Sequence, residues 1–164
     1  MTTSLVLESR NAPHPRVDLA RLCQSCALCC DGSLFGFVVL QPGEAKAARK
    51  NRLRVIRDGH GFEQRCSALQ TAGAGGPRRC AIYAERPLAC RHFTCRLYER
   101  HRTQGGPIEA RLAAVKRVRE LVASLEATGL TPADFEGDGS KRPAAPIYAE
   151  LMERLGDDFA RADR

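Results

Sequence analysis

The chain has 164 residues and a formal charge of +7, with 43% hydrophobic and only 5% aromatic residues. This length suits one compact domain with a helical extension, and the scarcity of aromatic residues predicts a small core that metal or disulfides would supplement. No segment has the ~18 apolar residues of a membrane span, so a membrane is not expected as a partner. Nucleic acid is not expected either, because a basic isoelectric point alone does not indicate it and the positive charge partly offsets cysteine thiolates.

The first segment, residues 1–17, is predicted to be a flexible lead-in, since Pro13 and Pro15 limit regular structure. It has neither a basic n-region nor an apolar run, so it does not resemble a signal peptide. The expected compartment is therefore the cytoplasm. Cysteines stay reduced there, and clustered thiols bind metal or carry out redox chemistry.

The second segment, residues 18–100, carries all eight cysteines and is predicted to be a metal-binding domain. Cys23, Cys26 and Cys29 repeat a two-residue interval. This triple is similar to the three-thiolate run of bacterial ferredoxins, which needs a fourth ligand from elsewhere in the chain. Because neighbouring side chains on an extended chain point in opposite directions, Cys29 and the adjacent Cys30 are candidates for different sites.

Four further cysteines follow at wider intervals: Cys66, Cys80, Cys90 and Cys95. Eight thiols divide into two sets of four, which is the coordination of closed structural zinc sites. They equally suit one four-cysteine cluster with four thiols left over. Arg86 and Arg91 are predicted to lie beside the thiolates and to offset their charge.

Short elements are predicted around these cysteines. Residues 34–40 form an apolar run typical of a strand, and Pro42 followed by Glu44 predicts a helix that opens there and runs to about Arg54. Residues 80–83 predict another short strand, and residues 87–90 a single helical turn. The Gly-rich residues 71–79 lack the pattern of a phosphate-binding loop and are interpreted as a connection.

The last segment, residues 101–164, is predicted to be a helical extension packed on the cysteine-rich domain. Its main helix covers residues 107–129, because apolar residues recur there at intervals of three and four. They are Ile108, Leu112, Val115, Val118, Val122 and Leu125. A linker over 136–146 and a last helix over 146–160 follow. The expected fold class is small, irregular α+β, with a metal-stapled cysteine-rich N-terminal half containing short strands and a helical C-terminal half.

Residues 20–96 resemble the YkgJ-type cysteine cluster family, whose CxxCxxCC domain is described as zinc- or iron-chelating. The matching motifs are the CxxCxxCC run from Cys23, the stretch Cys66-Ser67-Ala68-Leu69, and the stretch Cys80-Ala81-Ile82-Tyr83 with Arg86-Pro87, Cys90-Arg91 and Phe93 after it. The resemblance implies metal ligation by the cysteines. Larger relatives include flagellin lysine methylases, in which a similar domain is thought to hold an iron–sulfur cluster, but their activity does not carry over to this chain.

The predicted metal ligands are Cys23, Cys26, Cys29, Cys30, Cys66, Cys80, Cys90 and Cys95. We expect a metal-binding protein that holds an iron–sulfur cluster, preferred over zinc, and that serves in redox chemistry, metal handling or support of a modifying enzyme. The alternatives are an iron-dependent enzyme that modifies a protein or peptide, and a zinc-stapled interaction module. A protein partner or substrate is compatible with all three, and no residue is assigned a catalytic role.

Overall fold

The computed structural model describes residues 15–73, 76–130 and 143–162. Short antiparallel strands lie in the N-terminal half and helices dominate the C-terminal half, which confirms the predicted small, irregular α+β fold. The helices are α1 (Pro15–Cys26), α2 (Glu44–Lys50), α3 (Leu88–His92), α4 (Arg96–Gln104), α5 (Ile108–Thr128) and α6 (Ala145–Arg154), which a π-helical turn (Leu155–Phe159) extends. The strands are β1 (Phe37–Val39), β2 (Val55–Ile56), β3 (Gly61–Glu63), β4 (Leu69–Thr71) and β5 (Arg78–Cys80).

The predicted lead-in and linker lie mostly outside the described residues, which exclude 1–14 and 131–142. The last residues of the lead-in, 15–17, form the first turn of α1. Pro15 suits this position because its fixed φ is helical and its missing N–H would have no partner there.

The cysteine-rich half is built on a three-stranded antiparallel sheet of order β1-β3-β2 and a separate β4–β5 hairpin. Phe62 on the central strand is 1% exposed and pairs with Val38 on one side and Val55 on the other. Next to it, Gly61 leaves little room for a side chain, since an added Cβ would lie 3.1 Å from the Val38 carbonyl oxygen. The core beneath this sheet, called the sheet core here, consists of Leu40, Ala48, Leu53, Phe62 and Ala68.

Helix α2 is shorter than the predicted helix, which opens at Pro42 and runs to about Arg54. It ends at Lys50, and Arg52 adopts a left-handed φ of 60°. The Arg52 N–H then donates to the Arg49 carbonyl, and the Leu53 N–H to the Ala48 carbonyl, both at 2.9 Å. This is the Schellman arrangement, which uses the last free carbonyls of the helix and turns the chain towards β2.

Two predicted strands are also displaced. The apolar run 34–40 forms a strand only at Phe37–Val39, where β3 provides a partner. The strand expected at 80–83 lies instead at Arg78–Cys80, because its pairing with β4 ends at Cys80. A 3₁₀ turn, Tyr83–Glu85, follows it, and α3 then confirms the predicted helical turn.

The C-terminal half is a helical layer in which α5 packs against α1, α4 and α6. Helix α5 confirms the predicted helix over 107–129 almost to the residue. Its buried residues are Ile108, Val115, Val118, Leu121 and Leu125, and the helical core also includes Leu22, Leu28, Leu97, Leu151 and Phe159. Of the helices that the structure describes, none is long and apolar enough to cross a bilayer.

Candidate metal centre

The first two cysteines of the motif lie on the last turn of α1. Cys23 and Cys26 are three residues apart, so their side chains share one face of the helix. Cys23 is exposed, whereas Cys26 is half-buried against the helical core. The sequence analysis did not predict this helix. It is stabilised because Leu19 and Leu22 are buried in the helical layer.

The other two motif cysteines lie in the turn that follows α1. Ala27, with a φ of 54°, ends the helix, and its carbonyl accepts hydrogen bonds from the N–H groups of Cys30 at 2.8 Å and Asp31 at 3.0 Å. Leu28 is 0% exposed and anchors the turn in the helical core. The Sγ atoms of Cys29 and Cys30 are 3.6 Å apart. The expected opposite orientation of these side chains is therefore wrong, because the segment is a turn and not an extended strand.

Cys66, Cys80 and Cys90 all pack, half-buried, against the sheet core. The Cys66 N–H donates to the Cys30 carbonyl at 2.9 Å, which ties the motif to the sheet half. Cys80 ends β5 opposite Leu69, whose N–H donates to the Cys66 carbonyl at 3.0 Å. Cys90 lies on the short helix α3, so each thiol of this set comes from a different element.

Cys95 lies at the N-terminus of α4, where its Sγ accepts a hydrogen bond from the Tyr98 N–H at 3.4 Å. It packs half-buried against the helical core, as Cys26 does. Burial raises the pKa of the Cys95 thiol, and the N–H groups of Tyr98 and Leu97 oppose that rise. Helix N-termini stabilise thiolates in this way, so Cys95 is well placed to become an anionic ligand.

We define the second group of thiols as Cys30, Cys66, Cys80 and Cys90, because the last three pack against the sheet core and the Cys30 carbonyl accepts the Cys66 N–H. Burial, followed by repulsion from the other three, raises the pKa of Cys90 to about 12. Burial also raises the pKa values of Cys66 and Cys80, and Cys30 contributes to both. The pKa of Cys30 is raised first by its hydrogen bond with Cys29 and then by burial.

The first group contains Cys23, Cys26 and Cys95. Burial, followed by repulsion from Cys95 and Cys30, raises the pKa of the Cys23 thiol to about 12, although the residue as a whole is exposed. Burial likewise raises the pKa of Cys26 to about 12, and Cys95 and Cys23 add to this. Cys29 adjoins both groups, since it follows Cys26 at the same spacing and touches Cys30. The two groups are therefore neighbours.

Arg86 lies close enough to both groups for its charge to act on their thiols. Its charge opposes the pKa rise of Cys23 in the first group and of three thiols in the second. The guanidinium is held over the Tyr83 ring, 3.7 Å from the centroid, and its Nε donates to the Tyr83 carbonyl at 2.9 Å. The other arginine predicted to lie beside the thiolates, Arg91, is exposed on α3 and lines a small cavity together with Glu44.

Two further arginines cap the C-terminal end of α1. Arg78 Nη1 donates to the Ser25 carbonyl at 3.2 Å, and Arg119 Nη2 donates to the Cys26 carbonyl. Arg119 Nη1 also donates to Asp31 Oδ2 at 2.5 Å. Basic side chains in this position satisfy free carbonyls and complement the negative end of the helix. The sequence analysis missed Arg119, because no local pattern connects a residue of α5 with the cysteine motif.

The donor set fits a metal that prefers sulfur. Thiolates bind zinc and iron–sulfur clusters, and all eight cysteines are free thiols. Within residues 15–73, 76–130 and 143–162, no three Cys, His, Asp or Glu side chains already form a metal-binding geometry. Binding would therefore require the thiols of a group to turn towards a common point and to release their protons.

Comparison with known families gives a match that contains every cysteine of the chain. Residues 22–111 match the model of the CxxCxxCC family, described as "Putative zinc- or iron-chelating domain". Neither the comparison with curated proteins nor that with solved structures gives a match. The matched region is more than half of the chain and ends near the start of α5. The protein therefore belongs to the CxxCxxCC family of zinc- or iron-chelating domains.

Proposed function

We propose that the protein holds metal at two adjoining four-cysteine centres, with an iron–sulfur cluster at the first group and zinc at the second. Cys29 completes the first group in this proposal, because it continues the spacing of Cys23 and Cys26. The observation that carries the proposal is the separation of the thiols between two cores. Cys26 and Cys95 pack against the helical core, whereas three thiols of the second group pack against the sheet core.

The first group suits an iron–sulfur cluster. Its three motif cysteines have ferredoxin-like spacing, and Cys95 provides the distant fourth ligand that such a run needs. The N–H groups at the start of α4 and the charges of Arg86 and Arg119 lie close to these thiols and would stabilise them as thiolates. A bound cluster would supply one-electron transfer.

The second group suits zinc in a closed structural site. Its four cysteines come from the motif turn, the turn before β4, the end of β5 and α3, so one ion would join four separate elements. Zinc sites of this kind contribute folding free energy directly. The sheet core consists of five buried residues. Because so small a core contributes little folding free energy, a bound zinc ion would stabilise the sheet half substantially.

The thiols lie outside the described cavities, which supports a role in holding metal. A cavity of about 140 Å³ is lined by Glu44, Arg86 and Arg91 among others, and a larger one of about 530 Å³ is lined by charged side chains that include Arg100 and Asp158. No cysteine lines either of these described cavities. We therefore propose redox chemistry, metal handling or support of a modifying enzyme as the biological role, with a protein partner and in the reducing cytoplasm.

The proposal is tested by metal analysis of protein purified without oxygen. Iron, zinc and acid-labile sulfide are quantified together with the absorption spectrum. The proposal predicts about four iron, four sulfide and one zinc per chain. About two zinc without sulfide would support zinc at both groups, a second candidate that the division into two fours also favours. Protein that binds neither metal would refute both.

A further inference from the structure

Arg119 contacts the cysteine motif on both sides of the adjacent cysteines Cys29 and Cys30. One terminal nitrogen donates to the carbonyl of Cys26, just before the turn. The other donates to the carboxylate of Asp31, just after it, at 2.5 Å. One guanidinium therefore spans the turn that presents Cys29 and Cys30.

The surroundings of Arg119 are those of a structural contact and not of a surface ion pair. The side chains of Arg119 and Asp31 are 20% and 4% exposed. The carboxylate of Asp31 is fixed further, because its Oδ1 accepts a hydrogen bond from the Ser33 N–H at 2.9 Å. Removing one partner of a buried charged pair leaves the other uncompensated, so the turn depends on both.

A third hydrogen-bond donor of Arg119, the Nε–H group, has no acceptor among the described residues, and its nitrogen is buried. Arg119 Nη2 already donates to the carbonyl of Cys26, a proposed ligand of the first centre. Buried donors are rarely left unpaired in folded proteins, and a thiolate sulfur is an acceptor of the required charge.

We propose that Arg119 is a positioning residue of the first centre: it clamps the motif turn between Cys26 and Asp31 and directs Nε towards a metal-bound thiolate. The proposal rests on the metal-binding function proposed above. Arg119 lies on α5, beyond the region that matches the CxxCxxCC family model. The helical extension would thus contribute directly to the centre.

The test compares Arg119→Met with Arg117→Met in the protein as purified, without oxygen. Arg117 is a matched control, since it lies on the same helix and pairs with Glu150 at 2.5 Å, away from the motif. Iron and zinc release to chelators is followed spectroscopically. Residues that support metal ligands typically change affinity by about 10- to 100-fold. We therefore expect iron release from Arg119→Met to be faster by about that factor. Zinc release should rise less, because Cys30 is the one zinc ligand on the clamped turn and the other three lie on other elements.

Equal iron-release rates in Arg119→Met and Arg117→Met would overturn the proposal. Arg119→Lys keeps the charge but cannot donate to both partners, so an intermediate rate is expected. If Arg119→Met does not fold, Asp31→Asn replaces it, because this change weakens only one end of the clamp. A rate for Asp31→Asn equal to that of the wild type would overturn the proposal as well.

A second readout separates failure of the clamp from failure of the proposed function. In metal-free protein, amide hydrogen exchange of residues 27–33 should be at least several-fold faster in Arg119→Met than in Arg117→Met. Unchanged exchange would overturn the clamp whatever the metal content. A wild-type protein that binds no metal would instead refute the proposed function.

Discussion

Replacing Leu28 with alanine tests whether the helical core anchors the cysteine motif. Leu28 is 0% exposed and packs in that core between Cys26 and Cys29. A Leu-to-Ala change at a buried site costs about 2–5 kcal/mol, because hydrophobic transfer free energy is lost and a cavity remains. We expect a loss of about 3 kcal/mol in the free energy of unfolding. With an m-value of about 2 kcal/mol/M in urea, the unfolding midpoint would fall by about 1.5 M.

The assay is urea unfolding of the protein as purified, followed by circular dichroism without oxygen. Leu88→Ala is the control, since Leu88 also stands two residues before a cysteine of the second group but is 36% exposed. The control should lower the free energy of unfolding by less than about 1 kcal/mol. Equal midpoints for the two variants would refute the conclusion that Leu28 fixes the motif turn.

Two further predictions concern the second group. Zinc affinity should rise from about pH 6 to about pH 9. The reason is that the thiol pKa values are raised, that of Cys90 to about 12, so the metal-free thiols are protonated over this range and zinc must displace their protons. Chelator competition that gives the same affinity throughout would contradict this. Glu44→Ala should lower the free energy of unfolding by about 1–2 kcal/mol in urea unfolding, because its carboxylate accepts the N–H groups of Leu88 and Gln41, each at 2.8 Å. An unchanged midpoint would show that these bonds do not stabilise the starts of α2 and α3.

The sequence predicted the elements that have a recognisable pattern within their own segment. Helix α5 was predicted because its apolar residues recur with helical spacing, and α3 because a proline precedes a single turn. Helices α1 and α4 were not predicted, because each depends on neighbouring elements that cover its few buried side chains. In α4, for example, Leu97 and His101 are the buried residues of an otherwise polar segment. The ends of α2 and of the strands were set by hydrogen-bond partners that a single stretch of sequence does not reveal.

The sequence predicted that all eight cysteines are metal ligands, but it did not predict which of them share a site. Spacing alone left one cluster and two four-thiol sites equally open. The division that we propose rests on tertiary contacts: the Cys66 N–H donates to the Cys30 carbonyl, and Cys95 at the start of α4 packs against the helical core. The contacts of Arg119 with the motif were likewise not predicted, because α5 and the motif are distant in sequence. The proposed grouping of the cysteines thus depends on how they pack against the two cores, which the spacing of the motif does not reveal.

The central claim is that the cysteines form two separate metal centres, and two single substitutions test it most directly. Cys95→Ser removes a ligand of the first group, and Cys66→Ser removes one of the second. Metal and sulfide analysis of both variants should show that Cys95→Ser loses iron and sulfide but keeps zinc, while Cys66→Ser loses zinc but keeps iron and sulfide. If each substitution removes all of the bound metal, the cysteines serve one centre and the account is contradicted.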